Sequence, residues 1–332
     1  MAHPTDAAVR VWDDMYTTTW QIRRSQLTDQ VMRATPVFYK LAQGGRVQTE
    51  TGGLYIEEPV SFGLNPTVKT VSRAETVTFQ DVDVRTVAQW KWRYVHGMIQ
   101  SFFADRQRNA GKNAIINKVN ADINLLRDST VQQFESYLFG DGTGNDGKDL
   151  DGLGNIIAVA PTSGTVGGID RATYDWWRNQ MSSMSGLSMA SYLQDYMRTM
   201  YNNCGHLVGG GQQFPDLIVT TQTIEEALEK IADERVILAM SDMNMVKFGV
   251  GSLQYKTAPI VWSPQCPTGY MYFINTSTFR FVKDSSAFMK LGEWHRIPNA
   301  AADDRVAHMM SVCNLTNNCP AKNGVIHTIT TP

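Results

Sequence analysis

Residues 109–154 read "NAGKNAIINKVNADINLLRDSTVQQFESYLFGDGTGNDGKDLDGLG", a periodic run that ends in an acidic, glycine-rich turn. Ile116, Val119, Ile123, Leu126, Phe134 and Leu138 recur at spacings of three and four, apart from eight between Leu126 and Phe134, with Ile115 and Leu125 widening the stripe. That period is the signature of an amphipathic helix, here over 109–139. Asn109 is placed to cap its start, and Gly140 with Gly142 to end it. At about 1.5 Å per residue the rod is roughly 45 Å long, against about 11 residues for an average helix. A helix of this length spans a domain and gives other elements something to pack along. The turn after it crowds Asp141, Thr143, Asn145, Asp146, Asp149 and Asp151 among glycines, which invites a metal or phosphate reading. An EF-hand loop counted from Asp141 needs Gly at its sixth position and Glu at its twelfth; Asp146 and Gly152 stand there instead. Phosphate is disfavoured too, because GxxxxGK[ST] is absent and the carboxylates repel it. Two readings stay open, a looser cation site and a plain turn whose glycines reach positive φ and whose Asp and Asn side chains cap backbone groups.

Upstream, residues 6–34 form a polar, partly helical arm whose apolar residues drift in phase. Thr35–Pro36 then opens a short helix, "VFYKLAQ", stopped by Gly44 and Gly45. Residues 43–86 change character, alternating polar and β-branched residues between Gly-Gly and Asn-Pro. This is a long, two-sided, largely polar β-hairpin. Two-stranded ribbons are marginal alone in water, so it needs a neighbour inside or outside the chain. Residues 87–104 continue as a strand, with Trp90, Trp92 and Tyr94 on one face by period two.

Downstream, helix and strand alternate. "SMASYLQDYMRTMYNNC" is helical with Tyr192, Tyr196 and Met200 on one side, and "DLIVTTQTIEEALEKIADE" is a buried strand followed by a helix. "LQYKTAPIVW", "GYMYFINTSTFRFVK", "RVAHMMSVCNLTN" and "NGVIHTIT" are strands, and "GGGQQFP" (209–215) is a surface tip. The fold class is α+β.

Catalytic chemistry has little to stand on. The six histidines are scattered, and HExxH, GxSxG and SxxK are all missing. Glu225, Glu226 and Glu229 read as a solvated helix face. Cys204, Cys266, Cys313 and Cys319 include no CxxC and read as free thiols. "GTVGGID" (164–170) lacks the strand and helix context of a dinucleotide site. Trp176 and Trp177 have few basic residues around them, so core or interface is a better reading than base stacking. No metal, cofactor or catalytic residue is assigned. A net charge of −2 implies no generic grip on nucleic acid. No apolar run of about 18 residues is present to span a membrane, and the first residues lack a signal-peptide pattern. Synthesis in a reducing cytoplasm is the expectation.

Five blocks, taken in order, resemble tailed-phage major capsid proteins: "YLFGDGTGN…KDLDGLGNII", "GTVGGIDRATYDWWRNQ", "PDLIVTTQTIEEALEK", "APIVWSPQCPTGYMYFINT" and "VCNLTNNCPAKNGVI". The long polar hairpin and long helix match that family's layout rather than its letters. The resemblance implies a Hong Kong 97-like capsid fold. Its expected parts are an N-terminal arm (1–42), an extended loop (43–86) and a peripheral domain (87–185) holding the spine helix 109–139. An axial domain (186–302) and a return to the peripheral domain (303–332) complete it. The implied function is a non-enzymatic major capsid protein of a tailed double-stranded DNA bacteriophage. It would self-assemble through pentamers and hexamers into an icosahedral shell in the host cytoplasm, end in the virion, and mature from a procapsid. A scaffolding protein, a portal and a decoration protein are the implied partners, and the enclosed DNA is not read by sequence. Only a short arm precedes the first helix, so scaffolding is expected from a separate protein or from a segment removed earlier. Lys69, Arg73, Glu57 and Glu58 of the hairpin, with Trp176 and Trp177, are the residues expected to meet neighbouring subunits. Lys69 is the hairpin's one lysine, but no motif marks a partner asparagine, so a covalent cross-link is not assigned. The alternatives are an encapsulin-like compartment shell and a cation-dependent α+β enzyme.

Overall fold

The computed structural model describes residues 35–73, 75–76, 82–102, 112–205, 213–239, 253–297 and 304–330, with backbone alone for 112–120 and 232–239. The expected arm, the Asn109 cap, most of the 209–215 tip and the side chains of Ile115, Ile116 and Val119 lie outside the described residues.

Two sheets carry the molecule. The first is built on β14 (Arg305–Asn317). One edge of β14 pairs antiparallel with β4 (Arg93–Ser101), from Arg305↔Ser101 to Cys313↔Arg93. The other edge takes two strands in succession. β12 (Phe279–Asp284) pairs with residues 313–317, and β13 (Lys290–Arg296) pairs with residues 305–310. The short β1 (Val47–Glu50) runs parallel to β12. The far edge of β4 has no strand partner among the described residues.

The second sheet has six strands in the order β7 (Gln180–Ser183), β15 (Gly324–His327), β11 (Met271–Ile274), β8 (Leu217–Thr220), β10 (Ala258–Trp262) and β9 (Gln254–Tyr255). "LIVT" and "MYFI" are buried at every position because both faces of this sheet are covered. Ile218, Met271, Phe273 and Ile326 face a methionine-rich core under α4 (Met189–Asn203) and α5 (Gln222–Ala239). Leu217, Val219, Tyr272 and Val325 face a larger core shared with the first sheet.

That larger core also receives α1 (Pro36–Gln43) and the long α2 (Lys112–Phe139). Pro at the first position of α1 and the Gly44–Gly45 stop sit as expected, with Gly45 at φ 66°. Phe281 of β12 ties the layers together. Its ring lies edge-on to Phe38 of α1 at 5.1 Å and to Phe134 of α2 at 6.3 Å. Along α2, Ile123, Phe134 and Leu138 are buried, but Leu125 is exposed and does not widen the stripe.

Two further expectations change. The described part of the expected 87–104 strand is two strands, broken at Trp92: β3 (Arg85–Lys91) and β4. Trp90 is buried and Tyr94 is 66% exposed, because the break re-aims the chain from one sheet to another. In α4 the buried stripe is Met189, Leu193, Met197, Met200 and Tyr201, while Tyr192 faces out. Both stripes satisfy helical spacing, and the sheet selects the one that fills the methionine core. Sheet membership links residues on either side of 86/87 and of 302/303. β1 and β12–β13 join β14, β15 sits inside the six-stranded sheet, and β3 pairs back to the hairpin.

Candidate functional site

β2 (Tyr55–Ser61) pairs antiparallel with β3 from Tyr55↔Lys91 to Ser61↔Arg85. Burial alternates strictly along β2, so Ile56, Glu58 and Val60 face the body and Tyr55, Glu57, Pro59 and Ser61 face out. Ala88 and Trp90 of β3 join the inward row. The foot of the hairpin therefore has one apolar face packed on its own chain, and is not the two-sided polar ribbon expected. The 164–178 segment braces it further. Gly167 and Gly168 form the turn of a small hairpin, β5–β6 (Thr165–Val166 and Ile169–Asp170), at φ 58° and 76°. Two successive positive φ values are what such a two-residue turn requires. The Gly167 carbonyl then accepts from the Gln89 amide at 2.8 Å.

Beyond the foot the chain is different. Leu64 is 80% exposed, Val68 is 85% exposed, and Val71, Lys69 and Arg73 are also exposed. Local bonds hold this tip. The Asn65 carboxamide oxygen accepts from Thr67 N and Oγ1, the Glu75 carboxylate accepts from Ser72 N, and Lys69 pairs with Glu75 at 3.6 Å. Exposed pairs of this kind contribute under about 1 kcal/mol, so little among the described residues fixes the tip.

The six residues expected at an interface divide accordingly. Lys69, Arg73 and Glu57 are exposed on the hairpin. Trp176 is half-buried and stacks on Phe62 at 4.9 Å, clamping the point where the hairpin leaves the body. Glu58 and Trp177 are a correction, since both side chains are used inside their own chain. Trp177 is fully buried and its Nε1 donates to Val166 O at 2.9 Å. Trp177→Phe removes the five-membered ring with its Nε1 donor, which leaves a small void and takes that partner from the buried carbonyl. The expected cost is about 1–3 kcal/mol by chemical denaturation, and a change under about 0.5 kcal/mol would contradict the assignment.

Glu58 is 1% exposed. Its Oε1 accepts from Thr316 Oγ1 at 2.8 Å and its Oε2 lies 3.1 Å from Arg280, so one carboxylate pins the hairpin foot to β12 and β14. Burial pushes its carboxyl above the ordinary value of 4.5, and the Thr316 bond and Arg280 pull it back only in part. The folded chain thus holds this proton more tightly than the unfolded one. The resulting stability is fully present below about pH 4.5 and is lost as pH rises through the raised value. Glu58→Gln should therefore gain on the wild type as pH climbs from 4.5 to 7 in denaturation series. A wild type that gains on the variant over that range would contradict it.

The acidic turn is tied down as tightly. Asp141 Oδ1 accepts from Thr143 N at 3.0 Å and Oγ1 at 2.8 Å, and these bonds hold its carboxyl below the usual range. Asn145 and Asp146 occupy the left-handed region at φ 51° and 57°. Asp151 is buried: Oδ1 accepts from Asn155 at 2.9 Å and pairs with Arg93 at 3.4 Å, and Oδ2 accepts from Asn314 at 2.7 Å. Asn314 also accepts from Asp151 N, and Arg93 donates to Gly147 O. The loop is a clasp joining the end of α2 to β4 and β14. Its most buried carboxylate is spent on amides and a guanidinium.

One grouping was invisible in the sequence. His96 and His308, on adjacent strands, approach to 2.7 Å between Nε2 and Nδ1, and the His295 ring lies 6.4 Å from that of His308. Among the described residues no cluster of three His, Cys, Asp or Glu has metal-binding geometry. All four cysteines are free, and burial raises the Cys266 thiol to about 12. No helix among the described residues is long and apolar enough to cross a membrane.

No protein-family model matches the sequence, and no curated protein is similar to it. Solved structures are similar in fold. The cyanophage A-1(L) capsid asymmetric unit matches with a TM-score of 0.61 at 16% identity, covering 86% of this chain and 91% of that one. The satellite phage P4 procapsid, whose structure includes the size determination (Sid) protein, matches at 0.53 and 12% identity, covering 93% and 91%. The holo-SrpI encapsulin complex of Synechococcus elongatus also matches at 0.53, with 11% identity over 89% and 88%. The chain has the capsid fold of tailed-phage major capsid proteins, in its mixed helix-and-sheet Hong Kong 97-like form.

Proposed function

We propose that this chain is the major capsid protein of a tailed double-stranded DNA bacteriophage, a structural protein and not an enzyme. It builds an icosahedral shell from pentamers and hexamers of itself. The observation that carries the reading is the joining of a capsid fold, over 86% of the chain, to a hairpin whose foot is anchored at home and whose tip is not. Leu64, Val68 and Val71 point into solvent on a segment held by a few exposed bonds, an arrangement suited to lapping onto a sister subunit. Lys69, Arg73, Glu57 and the edge of Trp176 are the residues offered for those contacts. Each contact is modest, but every subunit makes and receives several, and closure of a symmetric shell multiplies them. The division into arm, extended loop, peripheral and axial domains belongs to this proposal. So do assembly in the bacterial cytoplasm, maturation from a procapsid, and scaffolding, portal and decoration partners. A net charge of −2 suits a wall that encloses DNA without gripping it.

A second reading, an encapsulin-like compartment, is favoured by the SrpI match at the same TM-score as the P4 procapsid. Particles containing this chain should, after nuclease treatment, still hold protected double-stranded DNA. Particles that hold a protein cargo and no DNA would transfer the chain to the second reading. A chain that stays a small oligomer at assembly concentrations would refute both.

A further inference from the structure

Where the hairpin leaves the body, a notch of about 440 Å³ opens between Arg46 ahead of β1, Ser61 and Gly63 at the hairpin foot, Ser277, Asn318 and Lys322. Among the described residues no Asp or Glu lines it. Lys322 is 3% exposed, and its Nζ has one partner among the described residues, the Gln213 carboxamide oxygen at 3.3 Å. A carboxamide oxygen accepts one of the three ammonium protons and neutralises none of the charge. Arg46 reaches Glu58 only through space, as a weak influence on its carboxyl. Glu58 itself is already engaged by Arg280 and Thr316. The Arg46 guanidinium, Ser61 hydroxyl and Asn318 carboxamide have no side-chain hydrogen-bond partner among the described residues.

Two cations and two free donors, the Ser61 hydroxyl and the Asn318 carboxamide, thus converge on one small cavity without a compensating anion among the described residues. Burying an ammonium is costly unless a counter-charge meets it. A guanidinium, an ammonium, a hydroxyl and a carboxamide around a side-chain-sized space are the donor set for an oxyanion, whose oxygens accept charge-assisted hydrogen bonds. We propose that this notch is an oxyanion-binding site that ties the hairpin foot to the 318–322 segment. The group bound is a phosphate or a carboxylate. It comes either from free anion in solution or from an acidic side chain of a second copy of the chain. The site is argued from this chain's own cavity and stands whether or not the chain builds a shell.

The test has two arms. In the first, the unassembled full-length chain is melted in inorganic phosphate and in chloride at matched ionic strength. A saturable rise in Tm of about 2 °C or more is expected for the wild type. Lys322→Met should abolish it, and so should Arg46→Gln, a partly exposed site where the substitution leaves the core intact. A rise that persists in both variants overturns the proposal. In the second arm, a density map of particles assembled without phosphate shows what meets Lys322 Nζ. A neighbour's carboxylate within hydrogen-bond distance supports the site and names its source as a second copy. A wild type without the phosphate shift, together with a notch that is empty in particles or with no particles formed, overturns it.

Discussion

Replacing residues 64–82 by a two-residue Asn-Gly turn should leave a folded, soluble chain that no longer closes into shells. The cut removes Leu64, Val68, Val71, Lys69 and Arg73, all exposed, and keeps the Ser61↔Arg85 pair and the Phe62–Trp176 stack. Among the described residues of the cut almost no buried area is lost within the chain, and a shorter loop lowers the entropy cost of closing the hairpin. Thermal stability should therefore hold or rise slightly. Assembly should collapse, because every subunit loses both the contact it gives and the one it receives, and the loss repeats across the shell. Sedimentation and negative-stain images should show subunits or isolated capsomers and no closed particles. Normal yields of full-sized particles from this variant would show that the tip does no assembly work. A deletion starting at residue 46 would be a poorer experiment, since Val47–Glu50 is a strand of the main sheet and Glu58 is a buried anchor.

The second large effect concerns Gly152. A Cβ built there would lie 2.3 Å from the Tyr137 carbonyl oxygen, 2.4 Å from that of Gly140 and 2.7 Å from that of Leu138. These are backbone atoms of the last turn of α2 and its exit, so no rotamer change can make room. Relief requires the end of α2 to separate from α3 (Leu153–Ile156), where Leu153 and Ile156 are fully buried. It would also strain the adjacent Asp151 clasp to Arg93 and Asn314. Gly152→Ala should cost at least about 3 kcal/mol, beyond ordinary overpacking, and yield mostly insoluble protein. Folding within about 1 kcal/mol of wild type, by denaturation of the soluble fraction, would contradict this account of the turn.

Local patterns in the sequence were informative where local physics decides the outcome. The helical phase shared by Ile123, Phe134 and Leu138, eleven and four residues apart, marks the long helix, and Pro36 and Gly45 mark the ends of the short one. The acidic turn reads as a turn because its spacing fails every ligand template. What could not be read is what depends on distant partners. Asp151 and Asn314 are 163 residues apart, and nothing near either announces the other. His96 and His308 are similarly joined by strand register alone. The phase of α4 and the exposure of Leu125 depend on which face the sheets cover. Glu58 is an intermediate case: Ile56-Glu58-Val60 already spells an inward row with a carboxylate in it, but its acceptance indoors needs Arg280 and Thr316, more than two hundred residues later in the chain. The cations of the notch, Arg46 and Lys322, are ordinary surface letters until the fold encloses one of them.

The central claim is that the hairpin is anchored in its own subunit and finished by another. A cryo-EM reconstruction of assembled particles tests it most directly. Residues 64–73 should lie against an adjacent subunit, with Leu64, Val68 and Val71 covered by it while Glu58 stays on Arg280 of its own chain. A particle in which this tip folds back on its own body, or stands in solvent touching no neighbour, would contradict the account.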